Sequence, residues 1–152
     1  AATNAKQRVP DSEGLYTLLY VEDNPANLKL VEQIIARHPD FKLLTAVNGY
    51  TGIDIARSIV PDVILMDINL PGINGYEALS MLREGQVTAH IPVIAISANA
   101  MPHDVKRGLA AGFYRYLTKP IKVEEFMEAL DATLEYAGLK SGHDREKQGN
   151  DV

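Results

Sequence analysis

Val63-Ile64-Leu65-Met66-Asp67 is an unbroken apolar run that stops on a carboxylate. Consecutive apolar residues with no polar alternation read as a strand buried on both faces, the habit of a parallel sheet covered by helices. Three more runs are built the same way. Leu18-Leu19-Tyr20-Val21 stops on Glu22-Asp23, Val93-Ile94-Ala95-Ile96 on Ser97, and Tyr116-Leu117-Thr118 on Lys119-Pro120. Ligands of open parallel sheets bind beyond the carboxyl ends of the strands. These four endings therefore converge on one site despite their distance in sequence.

Helical patterns separate the runs. After a first strand at Tyr16 to Val21, Asn24-Pro25 supplies a cap and a first-turn proline. Leu28, Val31, Ile34 and Ile35 form the buried face of that helix, which His38-Pro39 ends. A second strand covers Lys42 to Ala46. The helix from Gly49 to Val60 turns Ile53, Ala56 and Val60 inward, and Gly52 weakens it by roughly 1 kcal/mol relative to Ala. Pro61 precedes the third strand, Asp62 to Met66, and a loop over 69–75 leads to a helix at Tyr76 to Arg83.

The fourth strand is Ile91 to Ile96. The helix after it, Pro102 to Ala110, has only Val105 and Leu109 as anchors, so it is expected to be loosely held; Gly112 closes it. A fifth strand, Tyr114 to Thr118, precedes an amphipathic helix at Val123 to Tyr136. There Phe126, Ala129, Leu130, Thr133 and Leu134 follow helical spacing. Five alternating pairs make a (βα)5 α/β protein, a doubly wound parallel sheet with helices on both faces.

The 152 residues suit one domain. Positions 1–14 are polar and aperiodic and read as a flexible leader, 15–137 as the folded unit, and 138–152 as a flexible tail. The start at Ala1-Ala2-Thr3, without Met, suits a processed or excised fragment. A net charge of −5 argues against a general nucleic-acid binder. No apolar stretch approaches the roughly 18 residues of a membrane span, so no membrane insertion is expected. The leader lacks the apolar core of a secretory signal. Cysteine is absent, which removes disulfides and thiolate metal sites. A cytoplasmic location is the expectation. His38, His90, His103 and His143 have no ligand spacing and are expected on the surface.

Glu22, Asp23 and Asp67 bring three negative charges together, with Lys119 as the offsetting cation. Two carboxylates about 4–5 Å apart repel by roughly 3–4 kcal/mol at an effective dielectric of 20. A hard divalent cation, Mg²⁺ above all, relieves that strain with oxygen ligands. Asp67 is the candidate nucleophile, since a carboxylate can attack phosphorus to give an aspartyl-phosphate. Lys119 would hold a phosphoryl oxygen as a point charge, and Ser97 would donate a hydrogen bond to another. Taken singly, each has a plainer reading: acids near a helix start, a turn former, a strand-end hydroxyl, an exposed lysine. Their joint placement at four strand ends favours the chemical one.

Val21-Glu22-Asp23-Asn24, Asp67-Ile68-Asn69-Leu70-Pro71-Gly72, Asn74-Gly75-Tyr76-Glu77, Ser97-Ala98-Asn99-Ala100 and Tyr116-Leu117-Thr118-Lys119-Pro120 together resemble the receiver domain of two-component response regulators. The resemblance runs from Leu18 to Leu134 and is strongest to receivers of hybrid histidine kinases or their stand-alone relatives. It implies the flavodoxin-like strand order 2-1-3-4-5 and a phosphorylation-dependent switch in a phosphorelay. Asp67 would accept a phosphoryl group from the phosphohistidine of a histidine kinase or histidine phosphotransfer protein. Mg²⁺, with Mn²⁺ able to replace it, would be held by Asp23, Asp67 and the backbone carbonyl of Asn69, and by Glu22 through water. Ser97 and Tyr116 would be the switch pair, Asn69 and Asn99 would tune phosphoryl lifetime, and the Lys119–Pro120 bond would be cis. The fourth helix, fifth strand and fifth helix would engage a downstream protein target. Such a protein is a phosphoacceptor rather than an enzyme.

Tyr114-Arg115 and Thr51-Gly52 depart from the usual family pattern away from the pocket. Arg115, Lys106 and Arg107 could form a basic patch. A flavodoxin-like FMN carrier would share the topology, but Glu22-Asp23 would repel the FMN phosphate. A Mg²⁺-dependent phosphatase with an aspartyl intermediate would instead carry its nucleophile after the first strand, within an Asp-x-Asp that is missing here.

Overall fold

Side chains along the first strand, β1 (Tyr16–Val21), alternate between two separate cores. Leu18 and Tyr20 join one, Leu19 and Val21 the other. A strand does this when helices cover both faces of its sheet. The computed structural model describes residues 15–140. Next come α1 (Pro25–Ile35), β2 (Phe41–Ala46), α2 (Gly49–Ile59), β3 (Val63–Asp67) and α3 (Gly75–Glu84). β4 (Val93–Ser97), α4 (Pro102–Ala111), β5 (Arg115–Thr118) and α5 (Val123–Tyr136) complete the chain of elements. Every strand pair is parallel and the order is β2-β1-β3-β4-β5. This is the (βα)5 doubly wound sheet with the expected order.

The order reverses between β1 and β3, because the chain leaves β1 toward β2 and returns to the other side. A crevice opens at such a reversal beyond the carboxyl ends of the two strands. Glu22 and Asp23 follow one of these ends and Asp67 forms the other. The two cores keep the ends rigid. α1 and α5 bury Val31, Ile34, Ile35, Phe126, Leu130 and Leu134 against Leu18, Leu65 and Ile94. On the opposite face α2 and α3 bury Ile53, Ala56, Leu79 and Leu82 against Leu19, Ile64 and Ala95.

Several details differ from the sequence-based expectations. Gly52 is a requirement rather than a weakness: a Cβ there would lie 2.7 Å from the buried Val21 Cγ2, so glycine lets α2 reach β1. Val60 packs on the core as expected, but from the C-cap that follows α2, in the left-handed region with φ of 53°. α4 is not anchored by Val105 and Leu109: Val105 is half-buried, Leu109 is 46% exposed, and the one buried residue of α4 is Gly108. Leu139 and Lys140, placed in the tail by composition, are held. Leu139 packs on the α1/α5 core and accepts a hydrogen bond from the Tyr16 hydroxyl at 3.0 Å, and Lys140 pairs with Asp131 at 2.8 Å. The leader, the rest of the tail and His143 lie outside the described residues. His90 and His103 are exposed, whereas His38 is half-buried.

Asp62 also escaped the sequence. It is buried just before β3, its Oδ2 accepts the Thr17 N–H at 2.7 Å, and its own N–H donates to the Thr17 carbonyl at 2.9 Å. The pair sets the register where β1 and β3 begin. Losing a buried partner of this kind costs about 1–3 kcal/mol. Asp62→Ala is therefore expected to lower the urea-unfolding free energy by about that amount. Asp62→Asn, which keeps an acceptor oxygen, is expected to lose less.

Candidate functional site

Strand register brings the four polar endings to one place. Asp67 lies opposite Ile96, one residue short of Ser97, and Ser97 lies opposite Thr118, one residue short of Lys119. Val21 pairs with Met66, so Glu22 and Asp23 project beyond β1 beside Asp67. Carboxylate oxygens of Glu22, Asp23 and Asp67 lie within 4.8 Å of one another. Glu22 and Asp67 are buried and Asp23 is exposed, so the cluster opens to solvent on the Asp23 side.

Lys119 reaches into this cluster. Its Nζ stands 3.0 Å from Asp67 Oδ2 and 3.1 Å from Glu22 Oε1. Burial alone would lower the pKa of this ammonium. The hydrogen bonds it donates to Asp67 and Glu22, together with their charges, outweigh burial and hold it above the ordinary lysine range. The Lys119–Pro120 bond is cis.

Glu22 is saturated with donors. Oε1 accepts from the Tyr20 hydroxyl at 2.8 Å and from Asn27 Nδ2 at 3.4 Å, besides its contact with Lys119. Oε2 accepts from the Asn24 N–H at 3.2 Å. Asn24 meanwhile caps α1 with its side chain, accepting from the N–H groups of Ala26 and Asn27. Burial, then the neighbouring Glu22 charge, pushes the Tyr20 phenol well above its usual range, so it stays a donor. The sequence reading missed Tyr20 and Asn27. Tyr20 could have been found, because residues two apart on a strand share a face. A polar-tipped aromatic two before Glu22 is placed to meet it.

Of the other expected residues, Asn69 contacts the cluster, whereas Ser97, Asn99 and Tyr116 form a hydrogen-bonded chain that starts at the end of β4. Asn69 is exposed, and its N–H donates to Asp67 Oδ1 at 2.9 Å. Ser97 is buried and its Oγ accepts the Asn99 N–H at 3.0 Å, which leaves the hydroxyl proton free for another acceptor. The carbonyl of Asn99 accepts from the Tyr116 hydroxyl at 2.8 Å. Tyr116 thus joins the segment after Ser97 to β5. The three cations of the expected basic patch do not stand as a free set: Arg107 lies over the Tyr76 ring at 4.4 Å, and Arg115 pairs with Glu128 at 3.3 Å.

Three acids and one lysine leave a local charge of −2 on a set of oxygen donors. That composition fits a hard divalent cation such as Mg²⁺ rather than Zn²⁺.

The family model of the response regulator receiver domain matches residues 18–131. The chain belongs to that family. A polar-differentiation response regulator, DivK, of Brucella anthropi is 38% identical over 118 residues, covering 78% of this chain and 95% of the relative. DivK of Brucella ovis is 37% identical over the same length. The receiver domain of a sensor histidine kinase from Pseudomonas aeruginosa PAO1, solved with a magnesium ion in its active-site cleft, is 31% identical. It has a TM-score of 0.70 and covers 82% of this chain and 98% of that one. A CheY-like receiver from Methanospirillum hungatei, 23% identical with a TM-score of 0.72, covers 81% of this chain and 96% of its own and shares the fold.

A response regulator receiver domain is a module of phosphorylation-dependent signalling in two-component systems, a switch that meets histidine kinases and downstream targets. No helix among the described residues is long and apolar enough to cross a membrane.

Two outcomes test the electrostatics of this receiver. Removing a donor from a charged acceptor costs about 1.5–3 kcal/mol, so Tyr20→Phe is expected to lose about that much stability, read by chemical unfolding. Lys119→Met leaves two buried carboxylates facing each other and is expected to destabilise by about 3 kcal/mol in metal-free buffer. Lysine pKa is raised on folding, so its contribution is fully present below the ordinary lysine value and disappears as pH climbs through the folded one. The deficit of Lys119→Met should stay constant from neutral to mildly alkaline pH and shrink only above the ordinary lysine range.

Proposed function

We propose that this receiver accepts a phosphoryl group on Asp67 from a phosphohistidine, carried by a histidine kinase or a histidine phosphotransfer protein. The observation that carries the reading is Lys119 held between Asp67 and Glu22 at 3.0 and 3.1 Å inside a three-carboxylate cluster. An Asp67 oxygen attacks phosphorus and a P–O bond forms. The P–N bond breaks, and its electron pair returns to the imidazole nitrogen, which takes a proton from water. Phosphoryl transfer asks the protein for alignment and charge neutralisation more than for covalent chemistry.

Asp23, Asp67 and the backbone carbonyl of Asn69 would hold Mg²⁺, with Glu22 acting through water and Mn²⁺ able to replace it. The bound ion would supply positive charge to the phosphoryl oxygens. The chain's own groups do the rest. Lys119, already charged and aimed at Asp67, moves from the carboxylate to a phosphoryl oxygen. Ser97 donates its free hydroxyl proton to another. The Asn69 N–H orients the Asp67 carboxylate before attack. The exposed side chains of Asn69 and Asn99 flank the product and set how readily water reaches it.

Signalling then rests on Ser97, Asn99 and Tyr116. When Ser97 turns toward the phosphoryl group it pulls the segment that Asn99 joins to the Tyr116 hydroxyl, and Tyr116 lies against α4. A downstream protein would read the surface of α4, β5 and α5. For the phosphoryl group to dominate the switch, it must favour one arrangement by several kcal/mol, about 5.5 for a complete reversal.

Incubation with acetyl phosphate and Mg²⁺ followed by intact-mass analysis tests the reading. The wild type should gain one phosphoryl group, lost on mild alkaline treatment as expected of an acyl phosphate. Asp67→Asn should gain none, and chelation of divalent cations should abolish uptake by the wild type. Uptake by Asp67→Asn equal to that of the wild type would overturn the assignment.

A further inference from the structure

A lightly anchored helix, α4, sits beside the switch tyrosine. α4 has no side-chain hydrogen bond at its amino cap, and Gly108 is its one buried residue. Its other long apolar side chains give it little grip, since Val105 is half-buried and Leu109 exposed. Two of its contacts to neighbouring elements involve aromatic rings. Arg107 lies over the Tyr76 ring of α3, and Gly108 meets the ring of Tyr116 on β5.

The second contact has no slack. A Cβ on Gly108 would lie 2.6 Å from Tyr116 Cδ2 and 2.9 Å from Cε2, with the Tyr76 hydroxyl 3.7 Å away. The ring cannot give way sideways without losing its hydroxyl bond to Asn99, two residues beyond Ser97. One absent methyl group thus permits the position that ties Tyr116 to the Ser97 segment.

We infer that Gly108 is a positioning residue of the switch, a notch in α4 that admits the Tyr116 ring. Through this notch the seating of α4 depends on the state of Ser97. The inference rests on the phosphorylation reading above for its signalling consequence but not for its packing. With Gly108 in place, the inward ring and the seated helix require each other. With any side chain there, one of the two must be given up. Phosphorylation at Asp67 then has no route through Tyr116 to α4.

The packing claim makes a prediction of sign. Alanine is the better helix former, so Gly108→Ala alone, free of any clash, would favour the folded state by about fivefold. In the wild-type background the clash should dominate, and Gly108→Ala should reduce the folding equilibrium constant by about tenfold. In a Tyr116→Ala background the same substitution should increase it. A reduction of equal size in both backgrounds would overturn the inference, because the obstruction would then not be Tyr116.

The signalling claim is read separately. With acetyl phosphate and Mg²⁺, Gly108→Ala should gain the phosphoryl mass like the wild type. The backbone amide resonances of residues 103–111, which should shift on loading in the wild type, should stay at their unloaded positions in the variant. Full shifts in a phosphorylated Gly108→Ala protein would overturn the coupling. If the wild type itself takes up no phosphoryl group, the reading of Asp67 fails, while the stability cycle, run without any phosphodonor, still decides the packing.

Discussion

One ammonium group ties the site together. Lys119 is the cation that bridges Asp67 and Glu22, two buried carboxylates contributed by different strands. Without a partner, either buried charge would face a severe desolvation cost. Glu22 meets that cost with four donors, and Asp67 with the Asn69 amide and the shared lysine. Three strands must therefore end at one level for the cluster to exist at all. The all-parallel sheet and its two cores supply that level.

The same arrangement holds the Asp67 side chain in one orientation. The amide of Asn69 and the ammonium of Lys119 hold opposite oxygens of one carboxylate, fixing its plane. Asp23 stands apart on the exposed side, so the charge imbalance of the cluster faces solvent.

Most of the fold was legible in the sequence because parallel strands announce themselves. The run Val63 to Met66 has no alternation to misread, and Asn24-Pro25 marks the start of α1 without ambiguity. The acids, Ser97 and Lys119 were legible as strand-end punctuation. What stayed hidden depends on partners far away in the chain. Gly52 looks like a defect until Val21 is seen pressed against it, and Gly108 looks like a gap between Val105 and Leu109 until Tyr116 fills it. Asp62 reads as the first residue of a strand until Thr17 is found opposite. Propensity reports what a residue costs its own helix or strand, and the benefit in each case lies on another element. The tail boundary slipped for the same reason, since Leu139 is held by Tyr16, which is 123 positions earlier.

That last bond also fixes the geometry of attachment. Tyr16 opens β1 at the amino end of the sheet, and Leu139 and Lys140 are fastened beside it, next to Asp131 on α5. The described chain thus enters and leaves on the floor of the domain, while the carboxylates sit on its roof. A tether joined near residue 15 or residue 140, whether a fused domain or a sensor chip, need not cross the acidic opening. Anchored through that floor, the receiver would present its charged crevice outward to a visiting donor.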